Sequence, residues 1–177
     1  MVFDEVQPLE GWTGMQGHNF GTEHHYEYAW GQCLFPEGPD GPQTMVEGGS
    51  GRLKIGGWVS PRMSVLVVRH GSHELRFDRT FDTWRQVAQV EPWRWTVELK
   101  GAQGQVSMTM DAAGMPLACL AYDNPDGHRS YCFNTKLARV WLHVQPLHGP
   151  SFQRESPHGG ALEFLRHAPD PAIPDIV

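Results

Sequence analysis

Between residues 11 and 33 the chain reads GWTGMQGHNFGTEHHYEYAWGQC. Glu23 and Glu27 stand there among Trp12, Phe20, Tyr26, Tyr28 and Trp30. A carboxyl group in apolar surroundings keeps its proton and can act as an acid. An aromatic face attracts a positive charge. Together such groups could protonate an alkene and stabilise the resulting cation. Tyr28 and Trp30 are candidates for the second task, and Glu47 or Glu23 for the first. Glu27 and Asp123 also lie near aromatic or apolar residues. His18, Asn19 and Gln32 could orient a ligand, with Trp95 adding a further aromatic wall. The same residues also suit a plainer role, with aromatics in a core and histidines on a loop.

Other chemistries fit less well. His18, His24 and His25 lack the i, i+4 spacing of a helical zinc pair, and adjacent His24 and His25 would point to opposite sides of a strand, so no metal site is expected. No G-x-S-x-G elbow occurs, and Gly48-Gly49-Ser50-Gly51 reads as a hairpin turn. The glycines from Gly11 to Gly21 lack the preceding strand and following helix that a phosphate loop needs. No nucleotide and no other cofactor is expected. Cys33 reads as a small apolar strand residue. The stretch 123–134, DNPDGHRSYCFN, reads as a turn followed by a strand.

The elements that must carry these residues are short and alternating. Residues 26–35 place Tyr26, Tyr28, Trp30, Gln32 and Leu34 on one face, and Glu27, Ala29, Gly31, Cys33 and Phe35 on the other. Segments 44–47 and 52–55 look like the arms of a second hairpin. Residues 63–70 form the clearest buried strand, turned at Gly71-Ser72 into 73–77. Further strands are expected at 93–100, 105–110, 117–122, 131–133, 138–144 and 161–165. Only one helix is suggested, capped by Asp78 or Thr80, with Phe81, Trp84 and Val87 along one side. Nine or ten strands with frequent turns predict an all-β antiparallel barrel or sandwich. In a barrel, alternate residues face inward, so Tyr28, Trp30 and Gln32 are expected to face a cavity.

Composition bounds the rest. The 177 residues carry 14 Lys+Arg and 20 Asp+Glu, a formal charge of −6, which is a poor basis for neutralising nucleic-acid phosphates. Seven Trp, eight Phe and four Tyr argue against disorder. The longest apolar run is four residues, Val65 to Val68, against the roughly 20 needed to span a bilayer. The start of the chain reads neither as a basic region nor as an apolar leader, and three cysteines without paired spacing suit a reducing compartment, so a cytoplasmic protein is expected. The length fits one domain over 1–177, with its core at about 11–165 and a proline-rich tail at 166–177.

Gly17-His18-Asn19-Phe20-Gly21 followed by Tyr28-Ala29-Trp30-Gly31-Gln32-Cys33 resembles the N-W-G…W-x-W-x-Q-C motif of the tocopherol cyclase-like proteins. Hydroxyneurosporene synthases (carotenoid hydratases) and AttH-like, lipocalin-related proteins belong to the same wider group. Later, Tyr122 to Gly127 and Cys132 to Ala138 resemble the group's Y-x-N-P-x-G…C-x-N-S-K-x-A pattern. The resemblance implies a lipocalin-like β-barrel and a hydrophobic ligand, isoprenoid, lipid or polyketide-like. Phe20 stands where the group has tryptophan. Members of the group have two barrel domains and this chain has room for one, which implies a homodimer or part of a longer protein. Three functions follow: a barrel that binds the ligand, a cyclase or hydratase with Glu47 or Glu23 as acid, and a structural or interaction domain.

Overall fold

The computed structural model describes residues 8, 10, 25–79 and 86–173. Twelve strands run through them: β1 (Glu27–Phe35), β2 (Thr44–Arg52), β3 (Lys54–Ile55), β4 (Trp58–Val59), β5 (Met63–His70), β6 (His73–Phe77), β7 (Val87–Glu91), β8 (Arg94–Gly101), β9 (Gly104–Asp111), β10 (Ala118–Asp123), β11 (Arg129–Pro146) and β12 (Phe152–Arg166). Ten of them form one antiparallel sheet in the order β6-β5-β2-β1-β12-β11-β9-β8-β7, with β10 beside β11; β3 and β4 pair apart from it. The fold is therefore all-β and antiparallel, as alternation predicts. Among the described residues no helix is long and apolar enough to cross a membrane.

The inward faces meet in one core. Trp95, Val97 and Leu99 pack with Val106, Met108 and Met110, with Val140, Leu142 and Val144, and with Leu66, Val68, Phe77, Leu162 and Phe164. Burying each such side chain contributes on the order of 1.5–3 kcal/mol. Trp95 brings a polar N–H into this interior. It donates to Ser50 Oγ at 2.8 Å, and Ser50 Oγ lies 2.7 Å from Ser64 Oγ, with all three residues buried. This chain ties β8 to β2 and β5 across the core and holds the sheet curled. The path's two ends, β6 and β7, share no ladder. Gln103 Oε1 accepts from the Arg76 N–H at 2.6 Å, and Gln86 Oε1 from the Ser64 N–H at 3.3 Å, so side chains bridge the gap.

One end of the barrel is capped by an unusual turn. Pro92 and Trp93 connect β7 to β8, and Trp93 has φ 66°, a left-handed conformation costing roughly 1–2 kcal/mol for a residue with a Cβ. The Ala112 N–H donates to its carbonyl at 2.7 Å. The Arg166 guanidinium lies 4.3 Å from the Trp93 ring centre, and Phe133 meets that ring edge-on at 5.2 Å. Cation–π attraction and aromatic packing offset the backbone strain.

Several sequence expectations change. Gly48 to Gly51 is not a hairpin turn but the middle of β2, paired with β1 on one side and β5 on the other. A Cβ on Gly48 would lie 2.2 Å from the Val65 carbonyl oxygen, so the glycine admits a close backbone approach. Val87, expected in a helix, opens strand β7; residues 80–85 of that expectation lie outside the described residues. Segments 131–133 and 138–144 are one strand, β11, which bends through register shifts between Thr135 and Val140. The last strand starts at Phe152 rather than 161.

Gly48→Ala is expected to destabilise the fold by about 1–3 kcal/mol through overpacking. Urea unfolding followed by tryptophan fluorescence checks this, and an unchanged midpoint would contradict the strand assignment.

Candidate functional site

The expected site residues divide between two faces. On β1 it is Ala29, Cys33 and Phe35 that join the core, not Tyr28, Trp30 and Gln32. The interior has no room for large groups there, because a Cβ on Gly31 would lie 2.3 Å from Met110 Sδ. The expectation that Tyr28, Trp30 and Gln32 face an inner cavity is thus corrected: they lie half-buried on the outer face. Glu47 stands across from Gln32 on that face, and Trp30 lies between Gly49 and Glu163. Trp95 is separated from them, fully buried in the core. His18, Asn19 and Glu23 lie outside the described residues.

A residue that sequence reasoning missed organises this outer cluster. The Tyr28 hydroxyl donates to Glu163 Oε1. Leu165 and Cys132 occupy the neighbouring row and are only 1% and 2% exposed, yet they are not part of the main core. Burial first, and then Glu163, push the Tyr28 phenol well above the usual tyrosine range, so it stays a hydrogen-bond donor. Burial and the same carboxylate raise the Cys132 thiol. Burial pushes the Cys33 thiol up to about 11. Neither sulfur is an activated nucleophile. The signal for Glu163 was a charged residue inside an alternating segment, which is also what an ordinary solvated strand shows.

A second candidate lies at the end of the barrel where three hairpin turns converge. It is a cleft of about 510 Å³ between the β5–β6, β8–β9 and β11–β12 connections. Leu75, Pro146, Leu147, Pro150 and Phe152 give it an apolar surface; His70, His73, His148 and Gln103 supply polar groups. His70 stacks on Phe152 with ring centres 3.8 Å apart, and its Nδ1 is 2.8 Å from Thr44 Oγ1. That hydroxyl also accepts from the buried Arg154 at 3.2 Å. Burial, Arg154 and His73 hold the His70 imidazole below its ordinary pKa. Glu74, the cleft's carboxylate, is ion-paired with Arg69 at 2.8 Å and Arg76 at 3.5 Å. A third hollow, about 610 Å³, lies on the outer face of β8, β9, β11 and β12 around Trp141. Its lining of Thr96, Glu98, Ser107, Thr109 and Glu155 is polar and suits an apolar ligand less well.

Among the described residues, the carboxylates with displaced protonation equilibria are displaced downward. Arg69 does this to Glu74, Arg76 to Asp78 and Arg129 to Asp123. Burial opposes ionisation of Asp111, but Arg94, the Ala113 N–H and Arg139 outweigh it. Such groups are held ionised and are poor proton donors near neutrality.

No protein-family model matches the sequence, and no curated protein matches it. The fold is similar to the 2.00 Å crystal structure of a protein from Nitrosomonas europaea provisionally assigned as AttH, with TM-score 0.50 and 10% sequence identity. The match covers 94% of this chain and 59% of that one. At this identity the likeness speaks for the fold alone.

Tyr28→Phe is expected to cost about 1–3 kcal/mol, because Glu163 loses a donor at a part-buried site. Glu163→Gln, which keeps an acceptor, should cost less; denaturant titrations of both variants check the order. His70 has a depressed folded pKa, so its contribution is present above the unfolded imidazole value of about 6.5 and is lost as pH falls through the folded one. His70→Phe retains the stacking but cannot titrate. Its melting temperature should fall less than that of the unaltered protein between pH 7 and pH 5.

Proposed function

We propose that this chain is a lipocalin-like binding module for a hydrophobic small molecule, isoprenoid, lipid or polyketide-like, held in the cleft at the turn end of the barrel. The observation that carries this reading is the convergence of Leu75, Leu147 and Phe152 with a few imidazole and amide groups in about 510 Å³. Small-molecule sites are of this size and character, mostly apolar with a few polar groups that fix orientation. The likeness to the AttH structure is consistent with membership of the group that the N-terminal motif resembles. The chain spans 59% of that structure's length, so a role as one barrel of a larger assembly belongs to the same proposal.

Binding without turnover is favoured over cyclisation or hydration. The cleft's Glu74 is committed to two arginines, and a proton donor for an alkene needs a neutral acid. The enzymatic alternative assigns acid roles to Glu47 and Glu23, with Tyr28, Trp30 and Gln32 as ligand contacts. It draws support from the half-buried outer cluster in which Tyr28 and Trp30 flank Glu163. We also propose a homodimer through this outer face, where Val65 and Met63 are exposed on β5, and a cytoplasmic setting suited to three free cysteines.

Titration with all-trans-retinol, a fluorescent isoprenoid, tests the ligand and the site. Saturable binding is expected, weakened about tenfold or more by Leu147→Glu, equivalent to about 1.4 kcal/mol. Leu147 is exposed, so this change should leave the fold intact. Absence of saturable binding would overturn the ligand-binding reading, and binding untouched by Leu147→Glu but abolished by Trp30→Ala would move the site to the outer face. Sedimentation equilibrium checks the dimer, and a monomer at micromolar concentration would exclude it.

A further inference from the structure

We infer that the β3–β4 hairpin is a membrane-docking element that places Ile55 and Trp58 in the interface of a bilayer containing anionic lipid. The hairpin forms its own two-stranded sheet, off the ten-stranded one. Ile55 and Trp58 are cross-strand partners, 64% and 57% exposed. Gly56, with φ 60°, and Gly57 form the tip, and a Cβ built on either meets no atom within 4 Å. The tip therefore stands clear of the barrel.

Its base is firmly held. The Leu53 N–H donates to Ser60 Oγ at 2.9 Å and the Ser60 N–H to the Leu53 carbonyl at 2.8 Å. Arg52 Nε donates to the Ser60 carbonyl at 3.0 Å. A tryptophan and an isoleucine kept in water on a braced stalk mark an interaction site rather than stray surface residues.

Charge indicates which partner. Arg52, Lys54 and Arg62 surround the base, and the first and last share one carboxylate, Glu27, at 3.7 and 2.6 Å. Three cations against one carboxylate thus leave a locally positive patch beside the exposed Trp58 in a chain of formal charge −6. Basic residues beneath an apolar tip match an anionic leaflet, where tryptophan settles at the headgroup level. A second copy of the chain fits less well. Two protruding side chains cannot supply the roughly 800 Å² per partner of a stable protein interface, whereas a bilayer accepts an inserted tip. This inference stands independently of the ligand proposed for the cleft.

Co-sedimentation with vesicles of phosphatidylcholine alone, and of phosphatidylcholine mixed with phosphatidylserine, tests it. The intact chain is expected to sediment with the mixed vesicles, far less with phosphatidylcholine alone, and to be released by high salt. The double change Ile55→Ser and Trp58→Ser should weaken the partitioning at least tenfold, and Lys54→Glu should reduce the preference for anionic lipid. All three residues are exposed, so melting temperatures serve as the control for folding. Failure of the intact chain to sediment with either vesicle overturns the inference. So does equal binding by the double variant, or a dimer in solution that the double variant abolishes.

Discussion

A buried indole N–H needs an acceptor, and in this fold the acceptor that Trp95 finds ties opposite sides of the curled sheet together. Trp95 is satisfied by Ser50 on β2, five steps away along the strand order, so β8 and β2 lie face to face. Ser64 on β5 completes the chain. Once those strands face one another, the aliphatic side chains of β8, β9, β11 and β12 have an opposing wall to pack against. The strand path can then end without a closing ladder, because Gln86 and Gln103 accept from backbone N–H groups of β5 and β6. The polar contact contributes modestly as a hydrogen bond, on the order of 1 kcal/mol, but it is specific in a way that apolar burial is not.

Filling the interior this way leaves ligand-sized space at the periphery. Large side chains such as Trp95, Phe77 and Phe164 occupy the middle. Polar and aromatic chemistry is accordingly displaced to the outer face of β1 and β12 and to the rim where turns meet. At the opposite end the Arg166–Trp93 stack covers the core. The two ends thus differ in kind: one is a cation–aromatic lid over packed rings, the other a cleft bounded by proline, glycine and histidine.

Alternation was enough to read most of the strands, because each strand buries one face. The Trp95/Val97/Leu99 and Val140/Leu142/Val144 rows are buried as the pattern predicts. It did not reveal which face of β1 is inner. Bulk suggested Tyr28 and Trp30, whereas the crowded side is the one that must be small, as Met110 against Gly31 demonstrates. The same confusion made glycines 48–51 look like a turn, since a residue lacking a side chain serves both a bend and a tight strand contact. β12 was read too short because Pro157, Gly159 and Gly160 interrupt its pattern while its neighbours hold it extended. The cleft was invisible from sequence. Its walls come from three connections far apart in the chain, each an unremarkable turn by itself.

The position of β12 has a consequence for how the molecule comes into being. It is the last of the twelve strands among the described residues, yet it lies at the middle of the sheet, between β1 and β11. During synthesis the ribosome delivers β1 early and its partner 125 or more residues later, as the pairing of Cys33 with Gly160 and Tyr28 with Leu165 requires. Until then β1 and β11 each present an open edge, and the two halves cannot be zipped together from local contacts. Such non-local topology folds slowly and exposes unpaired strands meanwhile. Vulnerability to aggregation is thus concentrated in the interval before β12 emerges.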